Sequence, residues 1–289
     1  MPFKILFPIL TTLLISSTLT SQNQSISDYG SKTSSQIITN SKGIKYNIKV
    51  TLPPNYDKNS TYKPVYYLDA WWLSEIVLGS NVLAYLSKKI EPLIFIGISA
   101  VGPENEWHLQ RNLDYTPSKY SLSKMKITME MGTVKLDSSN TGGSDQFLNF
   151  LEEQIIPTVE QKISVSKDER GFIGHSLGGL FGSIILKNKP HLFKNYMLIS
   201  PSLWWNKNEI IDDKAMLNFL SINKLNIYIS YGSYESKLIK NPIAIFEKLI
   251  TEHGMTLENY TFKSYEGCNH ISVLPRAIYD GLEMYYKLK

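Results

Sequence analysis

Five short, unbroken apolar runs alternate with stretches of helical periodicity, and that alternation leaves the chain few ways to fold. The runs are Val65-Tyr66-Tyr67-Leu68, Leu93-Ile94-Phe95-Ile96, Gly171-Phe172-Ile173, Tyr196-Met197-Leu198-Ile199 and Ile227-Tyr228-Ile229. The helical stretches are Glu75–Lys89, Asp145–Lys162, Leu180–Lys187, Pro242–Glu252 and Leu274–Tyr286. A strand that is apolar throughout must be covered on both faces, which is the condition of a parallel sheet between two layers of helices. One earlier segment reads differently. Ile44, Tyr46, Ile48, Val50 and Leu52 alternate with Lys45, Asn47, Lys49 and Thr51, a period of two that suits an antiparallel edge with one buried face. Pro53–Asp57 closes it with turn residues. The expectation is an α/β fold: a mixed, mostly parallel sheet with helices on both faces.

No internal repeat and no linker breaks this pattern, so residues 36–289 read as one domain. Residues 101–143, rich in Ser, Thr, Gly and Lys, read as an insertion over the strand ends, where open α/β sheets bind ligands. The N-terminus carries Lys4, an apolar run from Ile5 to Ile15 interrupted by Pro8 and two threonines, and a small-residue exit at Ser16–Ser21. This predicts a signal peptide over 1–21, cleaved near Thr20–Gln22, followed by a polar leader over 22–35. The alternative is an uncleaved anchor. With the signal removed, an exported chain, periplasmic or secreted, with no stable membrane insertion is expected. The single cysteine, Cys268, can form no intrachain disulfide, so an oxidising compartment is tolerated without being exploited. The 30 basic and 26 acidic residues are dispersed with no lysine–arginine block, which argues against nucleic acid as a partner.

The chemistry begins at Gly174-His175-Ser176-Leu177-Gly178, a G-x-S-x-G motif between the strand-like Arg170–Ile173 and a helical stretch. In that context the serine occupies a sharp strand-to-helix turn, the nucleophile elbow of α/β hydrolases. Glycines two residues to either side remove side chains that would crowd the turn. The Leu177 N–H at the helix start is placed to donate to an oxyanion. A second donor is expected from Leu68-Asp69-Ala70-Trp71, and the Trp71 N–H is the candidate; the alternative is that Trp71 and Trp72 are packing residues.

Serine needs a base. Of the five histidines, His270 follows the strand-like Tyr260–Tyr265 and precedes the last helix, where the order nucleophile, acid, histidine puts the base. His175 points away from its neighbour Ser176, His191 and His253 read as surface or capping residues, and His108 lies in the insertion within reach of a substrate. The acid belongs after the penultimate strand, which selects Glu235; Asp212, Asp213, Glu247 and Glu266 are rivals, and a dyad without an acid is a further alternative. There is no H-E-x-x-H, C-x-x-C, P-loop or G-x-G-x-x-G after a strand, so neither a metal nor a cofactor is expected.

With these residues in place the chain resembles the family known as Putative esterase, within the α/β hydrolases. Within that family it looks most like esterases that open trilactone catecholate siderophores of the enterobactin and bacillibactin type. The resemblance rests on Leu52-Pro53-Pro54-x-Tyr56, Pro64–Asp69, Arg111–Pro117, Gly142-Gly143 leading into Phe147–Leu151, Gly174–Gly179, Ser200–Asn206 and Gly267–His270. It implies Ser176 and His270 as catalytic, an acyl-enzyme route past the Leu177 and Trp71 amides, and Arg111, Trp204 and Trp205 bordering the substrate cleft. Ala70 stands where many such relatives have glycine. The expected activity is hydrolysis of a small-molecule carboxylic ester, a siderophore-type ester among the candidates. The rivals are an acyltransferase or peptidase on the same scaffold and a non-catalytic exported binding protein.

Overall fold

The computed structural model describes residues 31–120, 125–129, 132–211, 225–252 and 259–288. The expected signal peptide, the leader up to residue 30, the rival acids Asp212 and Asp213, and His253 lie outside them. The strands are β1 (Thr33–Thr39), β2 (Lys45–Thr51), β3 (Lys63–Leu68), β4 (Leu93–Ala100), β5 (Met125–Met129), β6 (Gly132–Leu136), β7 (Gly171–His175), β8 (Asn195–Ile199), β9 (Asn226–Gly232) and β10 (Tyr260–Tyr265). The helices used below are α1 (Ser74–Leu86), α2 (Glu104–Tyr115), α3 (Ser144–Phe150), α4 (Ile156–Glu160), α5 (Leu177–Asn188), α6 (Lys237–Glu252) and α7 (Leu274–Tyr286).

Among the described residues the main sheet has eight strands in the order β1-β2-β4-β3-β7-β8-β9-β10. From β4 to β10 every neighbouring pair is parallel, and β2 pairs antiparallel with β4. The apolar runs therefore form the parallel centre, and the alternating segment lies towards its antiparallel edge. Tyr66 and Tyr67 show why the runs have no polar face: both are fully buried, one against each helical layer. α1 and α7 cover one face of the sheet, while α3, α4, α5 and α6 cover the other. Helix α7 turns Leu274, Ala277, Ile278, Gly281 and Leu282 inward, a spacing of three and four that keeps one stripe against the sheet. Each large side chain so buried contributes about 1.5–3 kcal/mol.

Two features depart from the sequence reading. The outermost strand, β1, pairs antiparallel with β2 from Thr33 opposite Thr51 to Thr39 opposite Lys45, so its first three residues fall in the segment read as leader. As an edge strand with mostly exposed side chains it carries no hydrophobic alternation to read. The helix expected over Asp145–Lys162 is continuous, but Leu151–Ile155 widens into a π-turn ahead of Pro157, which has no N–H to donate. The stretch 101–143 leaves the sheet after β4 as α2 and the antiparallel hairpin β5–β6.

The strand order reverses direction at β3, whose neighbours are β4 and β7. Two consecutive-looking loops, one after β3 and one after β7, thus emerge side by side at the carboxyl edge of the sheet. In open α/β sheets this is the place where a crevice opens for a ligand.

Candidate active site

Ser176 sits between the end of β7 and the first residue of α5 with φ 58° and ψ −117°, a backbone conformation that costs a side-chain-bearing residue on the order of 1–3 kcal/mol. Its own hydrogen bonds hold it there. Its N–H donates to the Ile199 carbonyl at 3.0 Å, and its carbonyl accepts from the N–H groups of Leu180 and Ser202, each at 3.0 Å. A Cβ on Gly174 would lie 2.2 Å from the Gly178 carbonyl oxygen, so this turn closes only over a glycine. The expected crowding at Gly178 is not found: a Cβ there would make ordinary contacts at 3.6 Å, and it is Gly179 that approaches the Pro201 backbone closely.

His270 and Glu235 meet at this edge from the loops after β10 and β9. The His270 ring Nδ1 is 2.8 Å from Glu235 Oε2. Glu235 Oε1 accepts from the Ser200 hydroxyl at 2.6 Å and from the Gly232 N–H at 2.8 Å. Burial pushes this carboxyl up, but His270, Ser200 and Gly232 together hold it below the usual carboxylate range. An ionised carboxylate fits that site, with Nδ1–H as the donor. The rivals Glu247 and Glu266 are exposed. The His270 loop is braced by Asn269, whose side-chain oxygen accepts from the Ile271 and Ser272 amides at 3.1 and 2.8 Å.

Ser176 and His270 are neighbours on one edge, yet their side chains are not joined by a hydrogen bond. The Ser176 hydroxyl lies 3.4 Å from that of Ser202, and His270 Nε2 makes no hydrogen bond among the described residues. Nucleophile–base contacts are commonly long until a substrate tightens them. His175 accounts for the proximity. Its ring stands 4.5 Å from the His270 ring, and its Nε2–H donates to the His270 carbonyl at 2.9 Å. Burial, with the nearby His270 and Arg111, drives its pKa well below the ordinary histidine range, so it is a neutral imidazole. As expected, His175 makes no bond to Ser176; it braces the His270 backbone, a contact that only the tertiary structure brings into view.

Of the two candidate oxyanion donors, Leu177 N–H opens α5 and Trp71 N–H lies in the turn after β3; neither has an acceptor among the described residues. The Trp71 ring is 38% exposed and packs against Trp107 at 4.4 Å and His108 at 6.1 Å, forming an aromatic rim that brings His108 to the edge of the site.

The three residues expected to border the substrate are placed differently from one another. Arg111 is not a free cation. Its Nε and Nη2 donate to both oxygens of the fully buried Asp69 at 2.8 Å each, and Nη2 also reaches the His175 carbonyl at 3.3 Å. It ties the turn after β3 to the elbow, because an unpaired carboxylate at Asp69 would be costly. Trp205 is fully buried, with its indole N–H on Ser118, and is therefore a core residue rather than a cleft wall. Trp204 lines a cleft of about 580 Å³ with Lys207, Lys237, Asn241, Pro242 and Ile245, and none of Ser176, Glu235, His270 or Trp71 is among its walls. Among the described residues no group of three or more metal-ligating side chains converges.

The chain matches the family described as Putative esterase over residues 39–272. It is 36% identical over 145 residues to the ferri-bacillibactin esterase BesA of Bacillus subtilis, covering 46% of this chain and 48% of that one. It is 32% identical over 193 residues to the apo-salmochelin esterase of Escherichia coli, covering 65% of this chain and 56% of that one. The aligned segments thus span about half the length of these curated relatives. Over a longer stretch, the crystal structure of the BES protein from Bacillus cereus superposes with a TM-score of 0.71 and 26% identity, covering 89% of this chain and 97% of that one.

Proposed function

This chain belongs to the Esterase family, and from that premise we propose that it is a serine hydrolase of carboxylic esters that works through an acyl-enzyme. The observation that carries the reading is the pairing of Glu235 with His270 at 2.8 Å beside a left-handed Ser176 and two unengaged amides. In this reading His270 Nε2 takes the proton of the Ser176 hydroxyl as its oxygen attacks the ester carbonyl. The Leu177 and Trp71 N–H groups receive the developing oxyanion, each such donor contributing about 3 kcal/mol in precedent. Glu235 keeps Nδ1 protonated and stabilises the imidazolium. The alcohol departs with the proton from His270, and water then repeats the sequence to release the acid.

The substrate we propose is a small-molecule ester of the trilactone siderophore type. The likeness to proteins named for ferri-bacillibactin and apo-salmochelin supports it. Export through a cleavable signal at residues 1–21 belongs to the same proposal. The test is Ser176→Ala. Hydrolysis of p-nitrophenyl butyrate and labelling by a fluorophosphonate probe should both disappear, with the melting temperature kept. Undiminished hydrolysis by the variant would remove the proposal. A panel of trilactone siderophores against simple esters decides the substrate class.

A further inference from the structure

The alternation in β2 leads one to expect Lys49 in solvent, on the polar face of an outer strand. It is instead half-buried and reaches the turn that carries Trp71. The path is opened by Gly97, which pairs with Lys49 across β2 and β4 and has no side chain to block it. A Cβ at Gly97 would lie 2.5 Å from the Tyr67 hydroxyl and 2.7 Å from the Ala70 methyl, so the space above this glycine is already taken by the turn. The Lys49 ammonium donates to the Ala70 carbonyl at 3.1 Å. The Ser74 hydroxyl donates to the same carbonyl and lies 3.0 Å from the Tyr67 hydroxyl.

The Ala70 carbonyl and the Trp71 N–H are the two ends of one peptide unit, so whatever holds the oxygen aims the hydrogen. The groups on either side of this peptide are themselves held. Ala70 N–H donates to the Ile98 carbonyl, the Asp69 carbonyl accepts from Trp72 and Leu73, and the Asp69 carboxylate is held by Arg111. The Trp71 N–H has no acceptor among the described residues. Among the described residues the Lys49 ammonium is held by the Ala70 carbonyl and the Ser74 hydroxyl and by no carboxylate. A cation on a carbonyl oxygen polarises the amide and strengthens its N–H as a donor, more so in a poorly solvated site.

We infer that Lys49 is a positioning residue of the oxyanion hole: it fixes the plane of the Ala70–Trp71 peptide and sharpens the Trp71 N–H towards the developing charge. The inference rests on the proposed serine-hydrolase reading of this site. It also explains how the turn works with alanine at position 70, since the peptide is oriented from outside by an ammonium and a hydroxyl.

The test compares Lys49→Met, which keeps the stem and loses the charge, with Lys49→Arg, and with Lys49→Gln should the methionine variant fold poorly. Deleting a whole oxyanion donor costs about 10²–10³ in kcat. Weakening one donor through its peptide should cost about tenfold. The expected result for Lys49→Met is that fall in kcat with KM changed less than about twofold. Affinity for an alkyl boronic acid, which mimics the tetrahedral adduct, should drop by a similar factor, and Lys49→Arg should recover most of both. Melting temperature serves as the control, since a merely structural role would lower it without a matched loss of boronate affinity. Wild-type kcat and boronate affinity in Lys49→Met and Lys49→Gln would overturn the inference alone. Hydrolysis surviving in Ser176→Ala would overturn the reading beneath it.

Discussion

Glu235→Gln is the substitution whose consequence the geometry specifies most closely. The carboxylate accepts three hydrogen bonds, from His270, Ser200 and Gly232, and its side chain is 1% exposed. Glutamine has the same shape and can keep the Ser200 and Gly232 donors on its oxygen. Its NH₂ group must then face His270 Nδ1. Two donors cannot share a bond, so the imidazole proton moves to Nε2, the nitrogen required to accept from Ser176, and the imidazolium loses its counter-charge. Where an orienting carboxylate of a serine triad is converted to its amide, kcat falls about 10⁴-fold. At 1.36 kcal/mol per decade this is about 5 kcal/mol of transition-state stabilisation. The assay is steady-state hydrolysis of p-nitrophenyl butyrate at pH 7.5, a pH chosen for the test, on the order of neutrality where the carboxylate is fully ionised. KM should stay within a few-fold. The same substitution alters acid stability. A carboxyl whose folded pKa is depressed stabilises the fold above its unfolded value, and that contribution is lost as pH falls through the folded value. Below about pH 4 the wild type should therefore lose a stability increment that Glu235→Gln never had. A variant within tenfold of wild-type kcat would refute the tautomer argument.

Two other outcomes can be measured. Burial raises the Asp114 carboxyl, hydrogen-bonded to Tyr46 and Gln110, to about 7, so the wild type should lose stability as pH climbs from the ordinary carboxylate value towards 7. Asp114→Asn should be spared that loss, its advantage growing to on the order of a few kcal/mol by pH 8; equal melting differences at pH 5 and pH 8 would contradict this. If residues 1–21 act as a cleaved signal, the intact mass of the protein recovered outside the cytoplasm should correspond to a start near Thr20–Gln22, and a mass retaining Met1 would contradict it.

The elbow turn and the pairing of Glu235 with His270 were legible because each member is marked locally. Gly174–Gly178 follows a strand, while Glu235 and His270 close the loops after the last two strands, and chain order assigns their parts. What stayed hidden depends on who faces whom. Trp204 and Trp205 are adjacent and chemically alike, but one lines a cleft and the other is fully buried, a difference decided by the packing around them. Arg111 reads as a cation available to a ligand until Asp69, 42 positions earlier, is seen to occupy it. Lys49 and His175 could not be assigned parts, since their significance lies in a carbonyl that each reaches, and sequence carries no mark on carbonyls. The edge strand β1 has too little apolar pattern to announce itself.

The strand order has a consequence for synthesis. Its first-made end supplies Lys49 and the turn at Ala70, its middle supplies Ser176, and its last-made strand leads into His270. Chains fold as they emerge, N-terminal portions first. In the proposed mechanism, a growing polypeptide stopped short of β10 would display the Ser176 hydroxyl without His270 to deprotonate it. The proposed reactivity is thus withheld until β10 and the loop after it have been made, and its appearance dates the moment at which both sides of the sheet have come to rest.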